Sequence, residues 1–369
     1  MTKDMKDMTV DELKEELARL QKEVVVDNAV QHSAKILMNS LYGATSNKYF
    51  APYFSPAVAE SITSTGQAAI RFIGIKLDKY LNKILKTEGI EYVVYQDTDS
   101  VYVTLEKLVT ALGLDGKPED DVVDALDNIC KQKIEPYIDQ CYKEFAKMLN
   151  AHSHQMFMKR ETICTSGVWN GKKRYALHVR DNEGVRYPKR KLKYVGLEAT
   201  RSNVPETCRN WLEVCYGYAL EGRQDELHEF VQKCRDEYHS MTPEEVASVA
   251  TANNIMKYQV GEFGHAKGAP KHVKAVINFN KLANADKTRT LKPITEAEKV
   301  MIVEMNPKKN QYGFEVFAFT DFFPKGLGLE SAIDYGIMFD KNFLEPLKNF
   351  LSSIGWQPEK TASLDDFFA

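Results

Sequence analysis

Two aspartates separated by one residue, Asp97 and Asp99, stand between two apolar segments, residues 90–95 and 101–105. Both segments are rich in the β-branched and aromatic residues that favour strands, whereas aspartate and serine favour turns. The pattern predicts a β-hairpin with two carboxylates at its tip. Their oxygens suit Mg²⁺, which keeps waters and substrate phosphates in its shell, so phosphoryl transfer is indicated. Asp-x-Asp also occurs in solvated turns and sugar-nucleotide transferases, so a metal-dependent glycosyltransferase stays open.

A polar helix face upstream of this hairpin is a second candidate. Residues 31–43 predict a helix, and Gln31, Lys35 and Asn39 share one face of it because they are four residues apart. If that face lines a cleft, Lys35 is placed to meet a phosphate. If it is solvated, the stripe carries no function.

A basic segment downstream is the third candidate. Residues 159–201 contain twelve Lys or Arg and four Asp or Glu, whereas the whole chain has a net charge of −3. A basic stripe on an acidic body indicates a partner with a phosphate backbone. The alternative is a solvated basic loop.

The elements that position these residues begin with a capped helix. Thr9 and Glu12 form a capping-box pattern. An apolar seam with alternating spacings of three and four follows, which is typical of a helix that meets one partner helix. The seam consists of Val10, Leu13, Leu17, Leu20 and Val24. Its partner is either the chain's own domain or a helix on another chain.

A second helix is predicted after Ser55 and Pro56, an N-cap followed by proline at N1. We expect it to be long and well buried and to end near Gly89. Its predicted apolar face is Val58, Ile62, Thr65, Ala69, Ile73, Leu77, Tyr80 and Ile84.

The remaining pattern predicts an α+β fold. Residues 120–149 favour a helix, and residues 156–165, 168–179 and 191–195 favour strands, with turns expected at Gly167 and Gly171. Helices are predicted from residue 205, including a start at Thr242 and a last helix over 342–351. The topology of residues 257–328 could not be inferred.

Composition narrows the class of protein. The chain has 369 residues with 43% hydrophobic and 27% charged residues, which is ordinary for a globular protein of two or three domains. No apolar run approaches the roughly 18 residues of a membrane span, so no membrane partner is expected. The six cysteines show no zinc spacing and are expected to be buried in a reducing cytoplasm.

The order of four motifs resembles the second half of a family B DNA polymerase. They are Lys35-x-x-x-Asn39-Ser40-x-Tyr42-Gly43, Asp97-Thr98-Asp99-Ser100, Lys172-Lys173-Arg174-Tyr175 and Gly196-x-Glu198. The resemblance covers residues 31–369. This segment is most similar to the T-even-like bacteriophage replicative polymerases. It implies a polymerase palm with an antiparallel β-sheet and packed helices, followed by a mostly helical thumb.

The resemblance also implies a role for each motif. Asp99 and Asp97 are expected to be catalytic ligands of two Mg²⁺ ions, with Asp97 in the supporting role. The helix motif is expected to bind the incoming dNTP through Lys35, Asn39, Tyr42, Gly43 and Gln31. The primer–template DNA is expected to be gripped by Lys172, Lys173, Arg174, Tyr175, Gly196 and Glu198. A C-terminal peptide is expected to dock on the sliding clamp through Ser363, Leu364, Phe367 and Phe368.

Two departures from the family pattern stand out. The residue before Asp97 is usually glycine in the family, and here it is Gln96. The earlier motif Asp-x-x-Ser-Leu-Tyr-Pro-Ser, which supplies the second metal-binding aspartate, is found nowhere in this sequence, nor is an exonuclease region. We therefore expect a split polymerase, in which an N-terminal polymerase and exonuclease subunit completes the site and shares both ions. A truncated fragment is the competing account.

The resemblance predicts a division into a fingers-helix remnant over residues 1–34, a palm over 35–200, a thumb over 201–355 and a clamp-binding tail over 356–369. We expect the enzyme to be inactive without its partner subunit and to work in the cytoplasm, that of the host cell if phage-encoded. The alternative function is a non-catalytic remnant that binds DNA and the clamp. The glycosyltransferase alternative leaves the basic motif and the helix motif unexplained.

Overall fold

The computed structural model describes residues 8–262, 264–286 and 290–360. Its first half is mainly helical, with one β-hairpin. In chain order the elements are α1 (Val10–Ser46), α2 (Pro56–Leu85), β1 (Val93–Asp97), β2 (Ser100–Val103), α3 (Glu106–Ala111), α4 (Glu119–Ile129), a π-helical segment (Cys130–Ile134) and α5 (Glu135–Met148).

The second half mixes strands and helices. Its strands are β3 (Thr162–Gly171), β4 (Arg174–Asn182), β5 (Val185–Val195), β6 (Ser248–Thr251), β7 (Gln259–Val260), β8 (Gly264–His265), β9 (Lys299–Glu304) and β10 (Val316–Phe319). Its α-helices are α6 (Glu206–Glu221), α7 (Gln224–Tyr238), α8 (Pro243–Val246), α9 (Ile255–Tyr258), α10 (Lys271–Ala285), α11 (Tyr335–Phe339) and α12 (Glu345–Leu351). The predicted α+β class is confirmed, with 52% helix and 17% strand.

The chain forms two compact units. The first comprises Met1–Gly113 and Pro136–Met158, and the second comprises Leu114–Glu135 and Lys159–Ala369. The strands that follow residue 158, including the basic motif, therefore lie in the second unit together with the helices after residue 201. The assignment of palm and thumb stays a prediction.

The first unit has a small core around the C-terminal half of α2. Ile73, Leu77 and Leu81 are buried there, and Phe72 packs on Phe145 of α5 with ring centroids 5.3 Å apart. The prediction of a well-buried α2 is wrong for its ends, because Val58 is 48% exposed, and Ile62 and Ile84 are also exposed. Only the part of α2 that faces the hairpin and α5 finds apolar partners.

The second unit has the larger core. Strands β3, β4 and β5 form one antiparallel sheet, and β6, β9 and β10 form another in the order β10-β9-β6. Buried residues of α6, α7, α10, α11 and α12 pack into one apolar cluster with the second sheet. Cys208, Cys215 and Cys234 are fully buried in that cluster, as expected, and every cysteine is a free thiol.

Turn positions in the first sheet differ from the sequence expectation. Gly167 lies inside β3, where a Cβ would crowd the side chains of Leu177 and Trp169. The turn falls instead at Lys172 and Lys173, because Gly171 pairs with Arg174 in the register of β3 and β4. Among the described residues, no helix is both long enough and apolar enough to cross a membrane.

Candidate active site and basic turn

The acidic motif forms the tip of a tight hairpin. Asp97 pairs with Ser100, which leaves Thr98 and Asp99 as a two-residue turn, with Thr98 at a left-handed φ of 54°. The turn closes through the backbone N–H of Asp99, which donates to the Asp97 carbonyl at 2.6 Å. Thr98 Oγ1 donates to Asp97 Oδ1 at 2.9 Å. The predicted hairpin with an acidic tip is therefore confirmed.

The hairpin is fastened to α2 by two polar side chains. Asp78 Oδ1 accepts hydrogen bonds from the backbone N–H of Tyr92 at 2.7 Å and of Val93 at 2.9 Å. Asn82 Nδ2 donates to the Ile90 carbonyl at 2.7 Å. The sequence reading missed Asp78 and Asn82. The sequence pattern could have indicated them, because both are polar residues, one helical turn apart, and each follows a buried leucine, Leu77 or Leu81.

Asp99 is exposed, and within the described residues its carboxylate has no hydrogen bond or ion pair. Tyr142 of α5, a buried phenol, lies within electrostatic reach of Asp99. Burial first, and the nearby Asp99 charge second, raise the pKa of Tyr142. The aspartate is thus free to take a ligand, and it sits near a group that stays neutral.

The carboxylates suit part of a metal shell. Mg²⁺ in phosphoryl-transfer sites is commonly held by one or two carboxylates, with waters and substrate phosphates supplying the other oxygens. Asp99 and Asp97 would provide that share. Across residues 8–262, 264–286 and 290–360, no three His, Cys, Asp or Glu side chains converge closely enough to hold an ion.

The helix motif lies on α1, which runs without a break from the Thr9 cap to Ser46. The predicted capping box is confirmed: Thr9 N–H donates to Glu12 Oε2 at 2.8 Å, and Glu12 N–H donates to Thr9 Oγ1 at 3.3 Å. The candidate nucleotide-binding residues Gln31, Lys35, Asn39 and Tyr42 are all exposed, and Gly43 is half-buried. Both α1 and the hairpin strands contact α2.

The apolar seam of α1 is open to solvent. Val10 is 68% exposed, Leu17 is 57% exposed and Val24 is 57% exposed. Leu13 is exposed as well, and Leu20 is half-buried. Of the described residues of α1, only Ala44, near its C-terminal end, is buried. The seam therefore finds no covering helix among the described residues.

The basic motif forms a second two-residue turn. Lys172 and Lys173 connect β3 to β4, and Lys173 adopts a left-handed φ of 57°. Both lysines are exposed, whereas Tyr175 is buried with its ring 6.5 Å from that of Trp169. The motif thus places two exposed lysines next to a buried tyrosine that packs in the sheet.

The structure brings the Gly196-x-Glu198 motif against this turn. A Cβ on Gly196, whose φ is 64°, would overlap the backbone carbonyl of Lys173. Arg174 Nη2 donates to both Glu198 carboxylate oxygens at 2.9 Å. All six residues predicted to bind DNA are therefore neighbours.

Most arginines of the basic segment are paired with acidic side chains. Arg160 bonds Asp127 and Asp181, and its side chain is only 8% exposed. The other pairs join the sheet to acidic residues of α4: Arg180 with Glu119 and Asp120, Arg186 with Asp120 and Asp124, and Arg190 with Glu119. The sequence reading missed this acidic face, although its acids recur at spacings of three to five residues.

These pairs shift the pKa values of the acids. A hydrogen bond from Lys131 lowers the pKa of Asp127 against the opposing effect of burial, and Arg160 adds to the lowering. Burial alone would raise the pKa of Asp181, but the Gly184 N–H and Arg160 outweigh it and lower that pKa. A hydrogen bond from Arg190 lowers the pKa of Glu119. The acids stay charged and hold the arginines to the sheet.

The expected clamp-binding residues Ser363, Leu364, Phe367 and Phe368 lie outside the described residues.

Comparison with known proteins finds one matching family model and two similar proteins. Residues 4–112 match the sequence model of DNA polymerase family B. The chain is 35% identical over 384 residues to the DNA-directed DNA polymerase of Escherichia phage RB69, covering 99% of this chain and 41% of that protein. It is 33% identical over 361 residues to that of Enterobacteria phage T4, covering 94% of this chain and 40% of that protein. The chain thus spans about two fifths of these relatives and corresponds in sequence to a part of a T-even-type family B DNA polymerase.

Proposed function

We propose that this chain takes part in template-directed DNA synthesis, as the segment that contributes the acidic turn and the basic turn. The observation that carries the proposal is the Asp97-to-Ser100 hairpin, whose exposed Asp99 carboxylate is unpaired among the described residues. It lies within the region that matches the polymerase family. The reaction is the attack of a primer 3′-hydroxyl on the α-phosphate of a dNTP, with release of pyrophosphate.

In the acidic site, Asp99 is the main ligand of divalent cations and Asp97 supports it. When bound, two Mg²⁺ ions would activate the hydroxyl and offset the charge that develops on the phosphate. Lys35 holds the triphosphate. Asn39 and Tyr42 line the new base pair, with Gly43 allowing close approach and Gln31 extending the same helix face.

In the basic site, Lys172 and Lys173 bind the phosphate backbone of the primer–template duplex. Arg174, Tyr175, Gly196 and Glu198 fix the turn on which these lysines stand. The support for this division of roles is that the lysines are exposed while Arg174 is paired and Tyr175 is buried.

A separate N-terminal polymerase subunit completes the proposed enzyme. It brings the second metal-binding aspartate, the exonuclease and a helix that covers the α1 seam. The support is the exposed seam, because a row of Val and Leu at a/d spacing is a costly surface without a partner helix. The peptide 363–368 is proposed to bind the sliding clamp, on the strength of its sequence.

Reconstitution tests the proposal. The chain is co-expressed with the product of the neighbouring reading frame that carries the missing aspartate motif, and the purified complex is given primer–template, dNTPs and Mg²⁺. We expect co-purification and primer extension, and no extension by either polypeptide alone. Extension by the isolated chain would contradict the split site, and an inactive complex that still binds DNA would favour the non-catalytic alternative.

The seam is tested separately with Leu17→Glu. Because Leu17 is 57% exposed, the isolated chain should keep its free energy of unfolding to within about 0.5 kcal/mol. The complex should be lost, because a carboxylate cannot be buried between two helices without a partner. Glu15→Gln, an exposed change outside the seam, is the matched control and should leave the complex intact.

A further inference from the structure

We propose that Gln96 is a positioning residue that seats the acidic turn on α2 by lying over Gly74. The inference rests on the proposed function for its meaning in DNA synthesis, but the contact itself can be tested without any activity. Gln96 is also the position at which the sequence departs from the family's glycine.

The contact joins the end of β1 to the middle of α2. Gln96 is the residue immediately before Asp97, and its side-chain Nε2 donates to the Ile70 carbonyl at 3.2 Å. Ile70 lies one helical turn before Gly74. A Cβ on Gly74 would overlap Nε2 of Gln96, so only glycine at this position lets the amide reach the helix backbone.

Two other side chains of α2 hold the far end of the strand. The Asp78 and Asn82 hydrogen bonds attach residues 90–93, at the opposite end of β1 from the acidic turn. Between them and the turn lies an open groove of about 510 Å³ that includes Arg71, Ile75 and Val94 among its lining residues. Compared with Asp78 and Asn82, the amide of Gln96 therefore anchors the strand nearer to the proposed metal-binding carboxylates.

The geometry explains how this chain carries a long side chain where the family has glycine. A glycine before Asp97 would remove the hydrogen bond to the Ile70 carbonyl and add backbone freedom beside the carboxylates. A glutamine is accommodated because α2 offers a matching glycine. Gln96 and Gly74 therefore form one interlocking pair, and changing either member should release the turn.

The test compares Gln96→Ala, Gly74→Ala and the double variant in the full chain. Gly66→Ala is the matched control, because Gly66 lies on the same helix and a Cβ there would meet nothing within 4 Å. Amide hydrogen exchange of residues 93–103 is measured without metal or partner. Each single variant should speed exchange in the hairpin by about fivefold, as expected for loss of one anchoring hydrogen bond.

The double variant should exchange no faster than Gln96→Ala alone, because the two changes break the same contact. Gly66→Ala should match the wild type. Unchanged exchange in both single variants would overturn the proposal, as would additive effects in the double variant.

A second readout separates positioning from general stability. In the reconstituted enzyme, Gln96→Ala should raise the Mg²⁺ concentration for half-maximal extension by about tenfold, as for partners that orient metal ligands. The Kd for primer–template should stay unchanged. An unaltered Mg²⁺ dependence would show that the contact is merely structural and would overturn the positioning role. If the wild-type complex itself has no activity, that result counts against the proposed function, and the hydrogen-exchange result alone decides whether the contact exists.

Discussion

The acidic and basic motifs occupy the same kind of structure and are supported differently. Each is a two-residue hairpin turn with one non-glycine residue in the left-handed region, Thr98 in the first and Lys173 in the second. The acidic hairpin is a two-stranded sheet attached to one helix. The basic hairpin belongs to a three-stranded sheet whose third strand leads into Gly196 and Glu198, which pack against the turn.

This difference shows which contacts hold each turn in place. The basic turn packs against Gly196 and is bonded to Glu198, both in its own unit. The acidic turn has its strand anchors but presents an exposed carboxylate, and the helix with the proposed nucleotide contacts has an uncovered seam. Changes in the residues that support the basic turn should therefore act through folding, and changes at the acidic tip should act through chemistry.

The largest expected effect concerns the acidic tip. Asp99→Ala should lower primer extension by the reconstituted enzyme by about a thousandfold or more, since charge stabilisation by the metal site is worth several kcal/mol. DNA binding, measured by fluorescence anisotropy, should be unchanged. Glu91→Ala, another exposed acid on the lead-in to the hairpin, is the control and should retain full activity. Retained synthesis in the Asp99 variant would remove the acidic turn from the mechanism.

The next effect concerns Arg160, whose buried side chain lies just before β3. Arg160→Ala should lower the free energy of unfolding by about 3 kcal/mol, because it removes a buried guanidinium that binds both Asp127 and the buried Asp181. Lys131 and Arg186 still contact these two acids, which limits the loss. Tryptophan fluorescence in a denaturant titration measures this, since Trp169, Trp211 and Trp356 all lie in the second unit. Arg190→Ala is the control; its side chain is 40% exposed, so about 1 kcal/mol at most is expected.

A third effect concerns the glycine that meets the basic turn. Gly196→Ala should cost about 2 kcal/mol or more, because it combines a left-handed φ with an overlap on the Lys173 carbonyl. Gly184→Ala shares the positive φ but would meet nothing within 4 Å, so it isolates the strain from the overlap. Equal losses of stability in the two variants would show that the packing of Gly196 on the turn contributes nothing.

The smallest effect concerns the exposed lysine. Lys172→Ala should weaken primer–template binding uniformly across sequences and reduce the slope of log K against log salt by about 0.9, the value for one phosphate contact. Arg190→Ala should leave the slope unchanged because Glu119 already neutralises that guanidinium. A smaller salt slope in the Arg190 variant would mean that the ion pair of Arg190 with Glu119 breaks when DNA binds.

Local signals in the sequence predicted much of the framework. The Thr9 cap, the start of α2 at Pro56, the acidic hairpin and the helices around Trp211 and Leu227 follow from capping, periodicity and turn chemistry, which depend on residues close in sequence. The prediction of a turn at Gly167 was wrong, because a glycine in a strand can indicate close packing as well as a turn. The sheet within residues 257–328 was missed because its strands are short and separated along the chain.

By itself, the sequence determined the order of the motifs, the α+β class and the similarity to family B DNA polymerases, because these depend on residue identity and spacing. Only the tertiary structure decided which charges remain available and which side chains fix the turns. Arg180 and Asp120 are 60 residues apart, and Gln96 and Ile70 are 26 residues apart. No local periodicity encodes such pairs, because they form only when the folded chain brings distant segments into contact.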